Sequence, residues 1–203
     1  MDRYKNFAEL FKNEKEGKDY IIRYRNAGPG IAVIAPHGGG IEPGTLDIAD
    51  EIAGKNFSFY SFSGVKKRGN SVLHIRSTAF DEPVGLKIVR RADTVLSIHG
   101  CRNKNAVIYA GGKNNELKKA IAVQLTNAGF NIKNSLGTEL KGKSDRNICN
   151  RCRSGKGVQL EISQGLRYKM TARGRSVLKE ARTDIFYAFV NAVRNALLAV
   201  SNG

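Results

Sequence analysis

The sequence predicts an α/β fold: a single domain with a mixed central β-sheet flanked by helices. Apolar runs of strand length alternate along the chain with segments of helical spacing, which argues for one interleaved core rather than separate helical and β regions. Some strand-like runs follow one another with no helix between them, so a purely parallel sheet is disfavoured. At 203 residues the chain is long enough for one well-buried core, and no linker or repeat divides it, so residues 1–203 read as one domain.

Tyr4, Phe7, Leu10 and Phe11 have helical spacing, and Tyr20-Ile-Ile-Arg-Tyr24 then reads as a strand. Ile31-Ala-Val-Ile-Ala-Pro36 is an apolar strand that runs into His37-Gly-Gly-Gly-Ile-Glu42. Residues 45–53 read as a helix with Thr45 as N-cap, and 57–62 as a strand of alternating aromatics and serines. Residues 72–77 read as a further strand containing His74. Residues 80–92 are expected to be helical with Pro83 in the first turn, leading to the strand Asp93-Thr-Val-Leu-Ser-Ile98 that ends in His99-Gly100. Residues 106–110 form a strand and 115–128 a helix stopped by Gly129. Val158-Gln-Leu-Glu-Ile162 is a strand carrying Glu161. Residues 179–200 close the chain as a packed helix, because Ile185, Phe186, Phe189, Val190, Val193 and Leu197 follow i, i+3, i+4 spacing. The adjacent strands within 57–77 and within 93–110 are candidates for antiparallel hairpins.

His37 and His99 both stand just beyond strand carboxyl ends, where open α/β sheets bind ligands. A catalytic zinc takes three nitrogen or oxygen ligands and keeps a fourth position open. His37, Glu42 and His99 supply that set. The glycines after His37 let the backbone turn sharply, so that Glu42 folds back toward the imidazole. Zinc lowers the pKa of its bound water from about 15.7 to about 7, and a carboxylate outside the ligand set then takes the proton as attack begins. Glu161 is the candidate general base. His74 is a candidate for substrate contact or proton transfer. Arg151, Arg153 and Lys156, just before Glu161, are candidates for gripping substrate carboxylates, since arginine offers a planar donor fork. One such cation can also stabilise the oxyanion of the attacked amide. Asp47, Asp81 and Glu82 are candidates for orienting the histidines.

The formal net charge is +16, extreme for this size, and points to a polyanionic partner. It is unevenly spread. Between Lys141 and Arg182 twelve Lys or Arg face only Asp145, Glu161 and Glu180, so the basic region and the candidate base coincide. Nucleic acid fits the charge too, but single-strand binding calls for aromatics among the cations, and this region offers mainly Tyr168. No apolar run approaches the roughly 20 residues of a membrane helix, and no apolar core follows Arg3 as in a secretory signal. The expectation is a cytoplasmic protein as synthesised, released by cell lysis if at all. Cys101, Cys149 and Cys152 are expected as reduced thiols, and the single Cys149-Asn-Arg-Cys152 pair has no second pair to complete a four-cysteine metal site. Gly111-Gly-Lys113 and Gly155-Lys-Gly157 lack the length or the following helix of a phosphate loop.

The segments 35–45 (APHGGGIEPGT), 69–74 (GNSVLH), 80–83 (FDEP), 97–100 (SIHG) and 150–163 (NRCRSGKGVQLEIS) together resemble the phage-type poly-γ-glutamate hydrolases, in order over roughly residues 20 to 165. The resemblance implies a zinc-carboxypeptidase-like fold and cleavage of the γ-linked amide of poly-γ-glutamate. It further implies that His37, Glu42 and His99 bind Zn2+, that Glu161 is the catalytic carboxylate, and that Arg151 is favoured for substrate because the Asn-Arg-Cys motif contains it. True zinc carboxypeptidases place two residues between the first histidine and glutamate, whereas four separate His37 from Glu42. The expected function is therefore a zinc-dependent hydrolase of this polyanionic polymer, acting as a monomer. The alternatives are a zinc peptidase or deacylase on small glutamyl conjugates, and a non-enzymatic polyanion-binding protein.

Overall fold

The computed structural model of the protein describes residues 2–28, 30–134, 141–172 and 181–201. In chain order the elements are α1 (Phe7–Asn13), β1 (Tyr20–Arg25), β2 (Ile31–Gly39), α2 (Thr45–Ala53), β3 (Ser58–Gly64), α3 (Pro83–Arg91), β4 (Thr94–Cys101), β5 (Ile108–Gly112), α4 (Asn115–Asn127), β6 (Ile132–Asn134), β7 (Val158–Ser163), α5 (Gln164–Met170), β8 (Thr171–Ala172), β9 (Ala181–Arg182) and α6 (Asp184–Ser201). Short 3-10 turns span Asn70–Leu73 and Ile148–Asn150. No described helix is long and apolar enough to cross a membrane.

Seven strands form one mixed sheet in the order β1-β3-β2-β4-β7-β5-β6. The core strands β3, β2, β4 and β7 run parallel, while β1 joins β3 and β5 joins β7 antiparallel. β2 opens as a continuous apolar run because both its faces are covered, whereas β3 and β7 bury serines, Gln159 and Glu161 among their apolar residues. Ile31, Val33 and Ala35 face one layer with residues of α2, α4, α5 and α6, whereas Ala32 and Ile34 face a second layer with residues of α1 and α3. The alternation of neighbouring residues between the layers follows from the period-2 geometry of a strand.

Antiparallel hairpins are not how the sheet is made. Strand β7 enters between β4 and β5, and β3 is flanked by β1 and β2, so long-range pairing overrides chain adjacency. Residues 72–77 are not a strand either. Gly69 takes a left-handed φ of 76°, and the Asn70 carboxamide bonds the Lys66 backbone on both sides, accepting from its N–H and donating to its carbonyl. The segment curls into a 3-10 turn, and its last residue Leu73 with Ile75 just beyond, both buried, mimic the alternation of a strand. His74 caps that turn. Thr45 is the first residue of α2 rather than its cap, a place taken by Gly44 at φ 91°, and its Oγ1 donates back to the Glu42 carbonyl at 2.8 Å. α3 starts at Pro83 with the Glu82 carboxylate accepting from the Val84 and Gly85 amides. α6 starts at Asp184, and residues 179 and 180 lie outside the described residues.

Candidate metal centre

β2, β4 and β7 end together at one edge of the sheet, and that edge carries the predicted ligands. The β2–β3 register shifts between Ala35 and Gly38, which turns His37 out of the regular pleat. Gly39 follows at φ 61°, a conformation that favours glycine. The chain then folds back, the Glu42 amide donating to the His37 carbonyl at 3.0 Å. On the neighbouring strand His99 is the register partner of Glu161.

Both histidines are almost fully buried, at 2% exposure each. His37 Nε2 donates to the Ile75 carbonyl at 2.8 Å, which leaves Nδ1 to face inward. Nδ1 lies 3.1 Å from Glu42 Oε1 and 3.2 Å from His99 Nδ1. His99 Nε2 is held 2.8 Å from Ser97 Oγ, and Glu42 Oε2 accepts from the Gly100 amide at 2.7 Å. One ligand atom from each of His37, Glu42 and His99 lies within 4.8 Å of the others.

The electrostatics fit a cation at this point. Burial pushes His99 down to about 3, so its imidazole is neutral and a lone pair is available. Burial raises Glu42, yet His37, His99 and the Gly100 amide outweigh it and bring the carboxyl down to about 2. Burial lowers His37 as well, but the adjoining carboxylate reverses this and its pKa ends above the ordinary value. Two inward nitrogens and a carboxylate, each held from behind by a hydrogen bond, are the donor set that zinc accepts.

Glu161 stands beside this cluster without joining it. Its Oε1 accepts from Gln159 Nε2 at 3.0 Å, and Gln159 is itself fixed by Asn147. Burial and then the Glu42 charge push the Glu161 carboxyl up to about 8. Its proton affinity thus sits near neutrality, the range suited to a general base.

His74 is brought to the same edge from the turn before Ile75. Its ring lies 4.1 Å from that of His37, and Nε2 is 4.0 Å from Glu42 Oε1. Asp2 Oδ1 holds Nδ1 at 2.8 Å, while Asp2 Oδ2 accepts from the Arg76 amide at 2.9 Å. Nothing in local sequence spacing signals Asp2, 72 residues away. Arg167 was also missed. Buried on α5, it donates through Nε to Ile162 O at 3.0 Å, through Nη2 to Cys101 O at 3.3 Å and through Nη1 to Pro43 O. It therefore ties the ends of β7 and β4 to the loop bearing Glu42, and a side chain on Gly100 would collide with it. The available signal was Ser163, which caps α5 through the Leu166 amide, followed by buried Leu166 and Met170 at i, i+4.

The remaining candidates are dispersed. The Arg153 amide donates to the Ala92 carbonyl and its side chain pairs with Asp93 at 3.3 Å, while the Lys156 carbonyl accepts from Thr94 Oγ1. Both residues therefore lie at the amino end of β4, opposite His99, and are not brought to the centre. Arg151 Nη1 donates to the Phe80 carbonyl at 3.1 Å, and the Phe80 ring packs edge-on to His37. Asp47 pairs with Arg182, Asp81 accepts from the Phe7 amide, and Glu82 caps α3. The histidines are oriented instead by the Ile75 carbonyl, Ser97 and Asp2. Cys149 and Cys152 are buried free thiols, and burial raises the Cys101 thiol.

The sequence model of the poly-gamma-glutamate hydrolase family matches residues 4–192. Two curated relatives from Bacillus subtilis (strain 168) are similar. UPF0714 protein YndL is 36% identical over 95% of this chain and 76% of its own length. The SPbeta prophage-derived UPF0714 protein YoqZ is 37% identical over 93% of this chain and 69% of its own length. Among solved structures, a bacteriophage poly-gamma-glutamate hydrolase superposes with a TM-score of 0.94 at 31% identity, covering 100% of this chain and 99% of that one. A zinc-free apo form of YndL superposes with a TM-score of 0.90 at 35% identity, covering 98% and 99%. With its sequence matched from residue 4 to residue 192 and its fold reproduced in full, the chain belongs to the poly-gamma-glutamate hydrolase family.

Proposed function

We propose that this protein is a zinc-dependent hydrolase of the γ-glutamyl amide bonds of poly-γ-glutamate, with residues 1–203 acting as one monomeric catalytic domain. His37, Glu42 and His99 hold the metal, and Glu161 is the general base. The observation that carries the reading is the buried convergence of His37 Nδ1, His99 Nδ1 and the Glu42 carboxylate beside a carboxyl that is outside the cluster and raised to about 8. The zinc-free form of a relative 35% identical in sequence supports the choice of metal.

Zinc, when bound there, supplies Lewis-acid activation of a water molecule. The protein supplies the rest. Glu161, held by Gln159, takes the proton released in the attack and carries it to the departing amine nitrogen. His74, oriented by Asp2, borders the ligand carboxylate and offers a second proton-handling group. Arg151, anchored on the Phe80 carbonyl, grips a free α-carboxylate of the polymer. Arg153 and Lys156 have no such role at the centre, because they stand at the opposite strand ends. The test is the size distribution of poly-γ-glutamate after incubation with the protein, with and without a metal chelator. Shortening that the chelator abolishes is the expected result. A polymer of unchanged length in both would refute the reading.

A further inference from the structure

At the edge of the sheet opposite the metal centre, a hollow of about 400 Å³ is lined by Asn26, Gly28, Arg90, Arg91 and Arg153. The arginines arrive from two separate places. Arg90 and Arg91 form the last turn of α3, and Arg153 follows the 3-10 turn before β7, its amide tied to the Ala92 carbonyl. The carboxyl end of a helix favours cations, which accounts for the pair on α3. It does not account for a third arginine converging on them from a distant loop. Among the described residues only Asp93 balances them, through its exposed pair with Arg153, and no carboxylate pairs with Arg90 or Arg91. These arginines are exposed, so their mutual repulsion is screened by water and salt, while their convergence on one hollow concentrates positive potential where an anion can be shared between them.

We propose that this hollow is an accessory binding site for the carboxylates of an anionic polymer, engaging stretches of the substrate chain remote from the bond being cut. The inference rests on the reading of poly-γ-glutamate as substrate. Arginine forks suit carboxylates in two-point contact, and among the described residues no aromatic side chain lines the hollow to stack nucleic-acid bases. Arg151 stands between the two regions. Burial lowers its pKa and the nearby Arg90 charge adds to this, while its guanidinium donates to the Phe80 carbonyl, on the residue whose ring packs against His37. From Thr94 to His99 the strand spans about 17 Å, so a long polymer can occupy hollow and centre together and a very short oligomer cannot.

The test is the double variant Arg90→Gln/Arg91→Gln, compared with wild type on long poly-γ-glutamate and on a γ-glutamyl trimer. The expected result is a KM at least five-fold higher on the long polymer, with kcat on it and all constants on the trimer unchanged. An unchanged KM on the long polymer, or an equal rise on both substrates, would overturn the proposal. If wild type cuts neither substrate, the hydrolase reading fails by itself. Equilibrium binding of fluorescent polyglutamate to wild type and variant then decides the hollow separately, with equal binding overturning it. Tighter arginine-dependent binding of a single-stranded oligonucleotide than of polyglutamate would likewise overturn it and assign the hollow to nucleic acid.

Discussion

His99 and Glu161 are register partners on the adjacent parallel strands β4 and β7, so the imidazole of the candidate metal centre and the neighbouring acid project side by side from one sheet edge. Strand pairing fixes their separation more firmly than a loop would. Glu161 also lies close enough to the ionised Glu42 carboxylate for that charge to raise its pKa, after burial the second cause of the shift.

This arrangement has a consequence for stability in the metal-free protein. The Glu161 carboxyl has its ordinary value of 4.5 when unfolded and about 8 when folded. Between these values the folded state binds more protons than the unfolded state, so stability falls as pH rises through that window. Glu161→Gln removes the loss. The metal-free variant is expected to gain on wild type progressively from pH 4.5 to pH 8, by on the order of 2–4 kcal/mol at the top of the range. Denaturant unfolding in the presence of chelator at several pH values checks it; a difference independent of pH contradicts it.

The hydrogen bond between His99 Nε2 and Ser97 Oγ, 2.8 Å in a fully buried setting, orients the ring toward His37 and Glu42, and with the ring neutral and Nδ1 turned to the cluster it is Nε2 that donates. Ser97→Ala should weaken metal binding about 10- to 100-fold with the fold intact, and His99→Ala should abolish it. Competition with a chromophoric chelator measures both.

Asp2 is hydrogen-bonded to His74 through Oδ1 and to the Arg76 amide through Oδ2. If His74 handles a proton, His74→Ala should lower kcat by about 10²-fold, and Asp2→Ala by less. In a double-mutant cycle Asp2→Ala should add little once His74 is gone. Full additivity of the two losses would show that Asp2 acts elsewhere.

Arg167 donates to three main-chain carbonyls that belong to separate segments. Arg167→Met keeps much of the volume and orphans these acceptors, which is expected to cost about 3 kcal/mol. It should also loosen the Glu42 loop and weaken metal binding. A variant with wild-type stability and metal affinity would remove Arg167 from the architecture of the site.

Much of the site was legible in the sequence because its signals are local. His37 and His99 end apolar runs that could only be strands, and the glycines after His37 mark the turn that returns Glu42. Asp2 and Arg167 lay beyond such reading, since the contacts that join Asp2 to His74 and Arg167 to Cys101 and Pro43 span 66 to 124 residues that no spacing encodes. His74 was found but misplaced on a strand, because Leu73 and Ile75 are buried from a turn. Arg153 and Lys156 were drawn toward the centre by their proximity to Glu161 in sequence. Strand β7 carries them to the other end of the sheet, where three or more residues of extended chain suffice to separate them from the base.

The most direct measurement compares wild type with Glu161→Gln for zinc content and for cleavage of poly-γ-glutamate. The expected outcome is one zinc per chain in both proteins, with turnover lowered about 10²- to 10⁴-fold in the variant. A variant that still cuts at the wild-type rate, or that loses its zinc along with its activity, would contradict the assignment of Glu161 as a base outside the ligand set.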